Sequence, residues 1–278
     1  METVTVGVLH PGEMGAAVAR QLVTRGHQVL YASHGRSAKT RSRAEAAGLK
    51  DVRTPAALLR ECAVILSICP PHAALSVASE LVGYPGVYVD ANAISPKSAR
   101  EVGALLEPAG AHVVDGGIIG GPPERPGTTR LYVSGGKAET VVELFAGTAL
   151  AVRNVGNDVG HASALKMCYA AWTKGTSALL LAVRAAARAE GVEADLLAEW
   201  ELSQPTLADR SVSAARSAYH KGWRWRGEME EIAATLAAAG LPAGFHQAAA
   251  EIFGRCPRPT EEVPADVFEQ VAKRLMAS

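Results

Sequence analysis

Lys166 closes the run Gly160-His161-Ala162-Ser163-Ala164-Leu165-Lys166 and opens a long Ala- and Leu-rich stretch. Its apolar neighbours Ala164, Leu165, Met167 and Cys168, and the positive end of a helix dipole, suit a group that moves protons. The plainer reading is a helix lysine that reaches out to solvent. Tyr169 and Thr173 follow at i+3 and i+7 on the same face, where they would orient the lysine or a substrate, or simply pack the helix.

A second constellation is the turn Gly7-Val8-Leu9-His10-Pro11-Gly12-Glu13-Met14-Gly15, which ends an apolar run and leads into an Ala-rich one. In that setting Gly12 would let the backbone approach a pyrophosphate, Gly15 would let a helix lie close on a strand, and the helix N-terminus would supply amide donors. His10 stands where the fingerprint has its first glycine. His10, Pro11, Gly12, Glu13 and Met14 are therefore candidate contacts of a dinucleotide. Further on the chain reads Ser33-His34-Gly35-Arg36-Ser37, without the carboxylate that an NAD site places on the ribose 2′-hydroxyl. Arg36, helped by Lys39 and Arg41, would neutralise a 2′-phosphate, and Ser33 and Ser37 would donate to it. The loop suits NADP(H) better than NAD(H); a solvated basic loop is the other reading.

These residues need a scaffold, and the pattern supplies one. Short Val/Ile/Leu-rich runs at 4–9, 28–32, 63–68, 87–90, 112–115 and 131–134 alternate with helical stretches such as 16–25. That rhythm predicts βαβ units and a parallel, doubly wound α/β Rossmann sheet over residues 1–158. After Val155 the strand signals stop. Helices are expected over 162–190, 195–203, 206–220, 228–239 and 243–253, with a last amphipathic one over 264–278 after the Pro257/Pro259 turn. Residues 159–278 thus read as an all-α domain.

The composition narrows the chemistry. Across 278 residues, 28 Lys+Arg balance 28 Asp+Glu, so bulk attraction to nucleic acid or an anionic membrane has no basis. The four cysteines, Cys62, Cys69, Cys168 and Cys256, are scattered and suit a reducing compartment. No His or Cys spacing fits a metal site, and no G-x-S-x-G elbow offers a nucleophile. The start, Met1-Glu2-Thr3-Val4, lacks a basic segment and a long apolar core, and the greasiest stretch, 177–189, is interrupted by Arg184 and Arg188 and too short to span a bilayer. The expectation is a cytoplasmic protein with a small-molecule substrate, no metal, no nucleic acid and no membrane partner.

With these motifs in place, the chain resembles the β-hydroxyacid dehydrogenases, among them 3-hydroxyisobutyrate and 6-phosphogluconate dehydrogenases, with imine reductases as structural relatives. The segment 10–15 stands at the family's G-x-G-x-M-G turn. Cys69-Pro70-Pro71 is similar to its cofactor-contacting loop, Asp90-Ala91-Asn92-Ala93-Ile94-Ser95-Pro96 to its D-x-S-T-I-S-P segment, and Asp115-Gly116-Gly117-Ile118-Ile119-Gly120-Gly121 to its substrate loop. The run ending at Lys166 resembles the one that carries the catalytic lysine. The resemblance implies a Rossmann domain joined to a helical one, a cleft site between them, and a homodimer built on the helical part. It also implies cofactor contacts at Cys69, Pro70, Pro71 and Asn92, a catalytic role for Asn92, and substrate contacts at Gly117, Ile118, Ile119 and Gly120.

Departures bear on the substrate. Ala170 replaces the Asn one turn after the lysine, a gap that Tyr169 would fill. Asn92 and Ala93 replace two hydroxyl residues, and Ile119 replaces a serine. Gly227-Glu228-Met229-Glu230-Glu231-Ile232-Ala233 occupies the stretch where the family often has a K-D-L segment, and an acidic residue there, such as Glu228, would repel a carboxylate. Trp223, Trp225 and Met229 would wall an apolar pocket, or fill the core. The expected activity is NADP(H)-dependent hydride transfer to or from a small carbonyl or alcohol, with Lys166 as general acid or base. Imine-reductase-like C=N reduction and a catalytically silent NADP(H)-binding regulator are the alternatives.

Overall fold

The computed structural model describes residues 3–258 and 263–277. Met1 and Glu2 of the opening run, Pro259 of the expected turn and Ser278 of the expected last helix lie outside the described residues. The chain divides into two compact units, Met1–Met167 and Cys168–Ser278.

The first unit carries strands β1 (Thr5–Val8), β2 (Gln28–Tyr31), β3 (Lys50–Asp51), β4 (Val64–Ser67), β5 (Val87–Asp90), β6 (His112–Ile119), β7 (Thr129–Ser134) and β8 (Leu150–Asn154) in one sheet. Their order is β3-β2-β1-β4-β5-β6-β7-β8. Val64, Ile65, Leu66 and Ser67 are all buried, as a central strand covered on both faces requires. Val6, Val8, Val64 and Leu66 join one core with Ala16, Val18, Ala19 and Leu22 of α1 (Glu13–Thr24). Ala44 of α2 (Ala38–Ala46) and Val141 of α6 (Ala138–Leu144) belong to the same core, while Ile65, Tyr88 and Val113 join the other with Leu58 of α3 (Pro55–Glu61), Ala78 of α4 (Ala74–Ser79) and Val102 and Leu106 of α5 (Pro96–Leu106).

Two features differ from the sequence expectation. The sheet is mostly rather than wholly parallel, because β7 runs antiparallel to β6. The expected loop at 116–121 is largely strand: Gly116, Gly117, Ile118 and Ile119 pair with Val133, Tyr132, Leu131 and Arg130. The glycines suggest a turn, yet at Gly116 a side chain is missing because Asp90 O and Leu131 would lie 3.1 and 3.2 Å from a Cβ. Strands β3 and β8 leave little local signal, the first because two residues carry no period and the second because Leu150–Asn154 ends in polar residues.

The second unit takes up α7 (His161–Ala189) beyond Met167, followed by α8 (Glu193–Ser203), α9 (Leu207–Ala238), α10 (Gly244–Gly254) and α11 (Val267–Met276). The two helices expected over 206–220 and 228–239 are one helix of 32 residues. Gly222 marks close packing instead of a stop, since a Cβ there would lie 2.8 Å from Cys256 Sγ. Ala214, Ala215, Ala218, Gly222, Met229, Ile232 and Ala233 form its buried stripe, and tertiary packing outweighs the weak propensity of two glycines. No helix among the described residues is long and apolar enough to cross a membrane.

Candidate active site

The sheet order reverses between β1 and β4, joined beyond the strands by Leu9 N donating to Leu66 O at 3.1 Å. Open α/β sheets bind ligands at the carboxyl ends of strands flanking such a point. Here the N-cap of α1 is Gly12, which makes no side-chain capping hydrogen bond and has nothing within 4 Å of where a Cβ would stand. At Gly15 a Cβ would collide with the His10 carbonyl oxygen, so only glycine lets the helix lie this close. His10 Nδ1 and Arg36 Nε are buried without a hydrogen-bond partner among the described residues, and both side chains line one small cavity with Leu9, Ala32 and Leu58. Burial, and then the Arg36 charge, push the His10 imidazole down to about 4. It is neutral at physiological pH. A bare turn, an open helix N-terminus and two unmet polar atoms fit a dinucleotide.

Along the neighbouring loop, Arg36 N donates to Ser33 O at 3.0 Å. Ser37 Oγ accepts from Thr40 N at 3.2 Å, capping α2 (Ala38–Ala46). Ser33 N donates to Asp51 Oδ1 at 3.1 Å, a partner that the local sequence around β2 does not reveal.

Asn92 ties β4 to β5. Its Oδ1 accepts from Cys69 N at 2.6 Å, its Nδ2 donates to Ser67 Oγ at 3.2 Å, and its backbone N donates to Asp90 Oδ1 at 3.1 Å. At 2 % exposure it fixes where Cys69, Pro70 and Pro71 leave the sheet. Burial, and then the charge of Asp90, raise the Cys69 thiol to about 11, so it stays protonated. Asp90 itself is pushed up to about 7, by burial first and by the charge of Asp115, its register partner on β6.

Asp115 has a structural task that its place in the sequence does not announce. Its Oδ2 accepts from Gly160 N at 3.0 Å, Ser163 N at 2.9 Å and Ser134 Oγ at 3.2 Å, and its Oδ1 from Ser163 Oγ at 2.5 Å. Ser134 Oγ in turn accepts from Ala162 N at 3.1 Å. Burial raises the Asp115 carboxyl above its usual range, while these donors oppose the shift at the positive end of α7. One signal was available: a carboxylate ending Val113-Val114 must be buried and must find donors. The same cage sets Lys166, because α7 rests on Gly117, where a Cβ would lie 2.7 Å from Lys166 Cβ and 3.0 Å from Ala162 O. Gly117 therefore brings the lysine to the carboxyl end of β6. Ile118 is partly buried against the core, Ile119 is buried, and Gly120 turns the chain with φ +119°.

In the second unit, Tyr169 is exposed and its carbonyl accepts from Thr173 Oγ1 at 3.1 Å. Trp223 has two guanidinium groups near its ring, those of Arg224 and Arg258, 5.0 and 4.8 Å from its centre. Met229 is fully buried. Glu228 is buried and ion-paired with Lys174, whose Nζ lies 5.2 Å from the Trp225 ring centre. Repulsion of a carboxylate does not follow from Glu228 alone, because the pair carries no net charge.

A mostly parallel sheet with a glycine turn at its reversal point defines a Rossmann nucleotide-binding protein. Residues 5–153, more than half of the chain, match the NAD binding domain of 6-phosphogluconate dehydrogenase, and the chain belongs to that β-hydroxyacid dehydrogenase family. Residues 187–256 match a domain of unknown function, DUF1932. The chain is similar to the conserved protein MTH1747, itself of unknown function and structurally similar to 3-hydroxyacid dehydrogenases, with 28% identity, 99% of this chain and 100% of that one covered, and a TM-score of 0.70. It shares its fold with the 3-hydroxyisobutyrate dehydrogenase of Mycobacterium tuberculosis, solved with L-serine, at 20% identity and TM-score 0.71 over 99% of this chain and 100% of that one. It also shares it with a reductive aminase from Aspergillus terreus, solved with NADPH4, cyclohexanone and allyl amine, at 20% identity and TM-score 0.59 over 91% and 93%. The family places the chain among nicotinamide-dependent dehydrogenases and reductases.

Proposed function

We propose that this chain is an NADP(H)-dependent oxidoreductase acting on a small carbonyl or alcohol, with Lys166 as general acid or base. The observation that carries this reading is the seat of Lys166 on Gly117, at the carboxyl end of β6, with its helix start held by Asp115. When bound, the nicotinamide would supply or accept the hydride. The 10–14 turn would hold the pyrophosphate, with Arg36 on the adenosine ribose side. Asn92 would keep the loop of Cys69, Pro70 and Pro71 in place beside the cofactor, and Lys166 would give a proton to, or take one from, the substrate oxygen. Tyr169, Thr173, Trp223, Glu228 and Met229 complete the proposal on the substrate side. Four apolar side chains of α7 left uncovered in the single chain, Tyr169, Trp172, Leu179 and Val183, follow a 3-7-4 spacing that supports a homodimer through the helical domain. A cytoplasmic location is part of the same reading.

The second reading is imine or iminium reduction. It is favoured by the absence of hydroxyls at Asn92, Ala93 and Ile119, where a carboxylate substrate would need donors. The test is NADPH oxidation against carbonyls, hydroxy acids run in reverse, and cyclic imines, repeated with Lys166→Met. We expect the variant to bind NADPH and to lose about 10²- to 10⁴-fold in carbonyl turnover. Imine turnover that survives the substitution supports the second reading. Binding without turnover across the whole panel identifies a silent cofactor-binding regulator and overturns both.

A further inference from the structure

The ribose loop lacks an acid in sequence but not in space. In the sheet register Tyr31, the last residue of β2, faces Asp51, the last residue of β3. Asp51 Oδ1 accepts from Ser33 N at 3.1 Å and from Arg53 N at 2.7 Å. The latter contact is made possible by a left-handed Arg53, φ +67°, whose carbonyl takes the His34 amide at 2.9 Å. The slight burial of the Asp51 carboxyl works to raise its pKa, but the Ser33 hydroxyl and the Ser33 and Arg53 amides bring it below the usual value. It is an anion at neutral pH. Ser33, one of the donors offered to a 2′-phosphate, is thus already engaged by a carboxylate. Ser37 is engaged as the cap of α2, leaving Arg36 with Lys39 and Arg41 as the loop's cationic side.

We infer that Asp51 is a cofactor-selectivity residue, a carboxylate carried on β3 that stands in for the missing acid of β2 and lowers the preference for a 2′-phosphate, so that the chain accepts NADH as well as NADPH. The inference rests on the proposal that residues 33–37 face the adenosine ribose. The charge acts on the phosphate, whereas the Asp51 oxygen bracing Ser33 and Arg53 holds the loop for either cofactor.

The test is titration of the full chain with NADPH and NADH, followed by nicotinamide fluorescence, for the wild type and for Asp51→Asn, Asp51→Ala and Arg36→Ala. Asp51→Asn keeps an oxygen for the two amides and removes the charge. It should tighten NADPH binding by about five- to tenfold and leave NADH within about twofold. The gain should shrink at high ionic strength. If Asp51→Asn leaves the NADPH:NADH ratio unchanged while Arg36→Ala lowers it, the loop reading stands and the role of Asp51 is overturned. That role is equally overturned if only Asp51→Ala acts, weakening both cofactors alike, since such a pattern describes a brace. If Arg36→Ala also leaves the ratio unchanged, the loop reading fails and takes this inference with it.

Discussion

Asp115 and Glu228 are both buried carboxylates, one in each unit, and they are satisfied in opposite ways. Asp115, 1 % exposed, is met among the described residues by neutral donors: two backbone amides and two serine hydroxyls. Glu228, 6 % exposed, is met by the charge of Lys174. An ion pair tolerates some sliding of a long flexible side chain, while a carboxylate caged by short donors on β7 and at the entry to α7 fixes a helix start directly. The first unit therefore fixes a helix start by geometry, and the second balances charge inside a packed bundle.

The largest expected effect breaks that cage. Asp115→Ala leaves Gly160 N, Ser163 N, Ser163 Oγ and Ser134 Oγ without their acceptor in a buried site. A cost of about 3 to 5 kcal/mol in urea unfolding is expected, together with turnover reduced beyond what the lost stability explains, as Lys166 drifts from β6. A loss under about 1 kcal/mol would show that the contrast between the two carboxylates is wrong.

A smaller effect sharpens the comparison through pH. Asp90 titrates at about 7 in the folded chain, well above the ordinary value of 3.8. A carboxyl raised on folding stabilises the folded state fully below its unfolded pKa, and that contribution is lost as pH rises toward 7. His10, lowered to about 4, acts with the opposite sign: its contribution is present above the usual 6.5 and is lost as pH falls toward 4. The two nearly share a window and offset each other. Asp90→Asn removes the Asp90 contribution and leaves that of His10 in place, so the wild-type advantage over the variant should fall between about pH 4 and 7, by on the order of a few kcal/mol. Unfolding curves at several pH values read it directly, and parallel curves for the two proteins would refute it.

Much of the first unit is legible in the sequence because buried strands and βαβ spacing leave strong local signals. The glycine turn, the β5 to α5 segment and the lysine helix all stand out, and Ser37, Thr54 and Ser95 cap helices through local contacts that sequence can show. What escapes is non-local. Asp51 meets Ser33 across 18 residues and Asp115 meets Ser163 across 48, and no short-range pattern encodes either pairing. Gly116 and Gly117 mislead for the same reason: their missing side chains answer to Asp90, Leu131 and Lys166, all distant in sequence. The helical unit is less legible, since its glycines look alike in sequence and differ only in what surrounds them.

The smallest effect tests that last point. Gly222 and Gly227 lie within one turn and a half of each other in α9, and together they suggest a break. At Gly222 an added Cβ would meet Cys256 Sγ at 2.8 Å and Cys256 Cβ at 2.9 Å, so Gly222→Ala should destabilise by about 1 to 3 kcal/mol. At Gly227 nothing lies within 4 Å and the backbone is helical, so alanine removes only the entropic penalty of glycine. Gly227→Ala should raise stability by about 0.5 to 1 kcal/mol, measured as a higher urea midpoint at unchanged slope. If both alanines destabilise alike, the centre of α9 is not the continuous helix seen here and Gly227 serves a bend; if they part in sign, the helix runs through and Gly222 alone is required by packing.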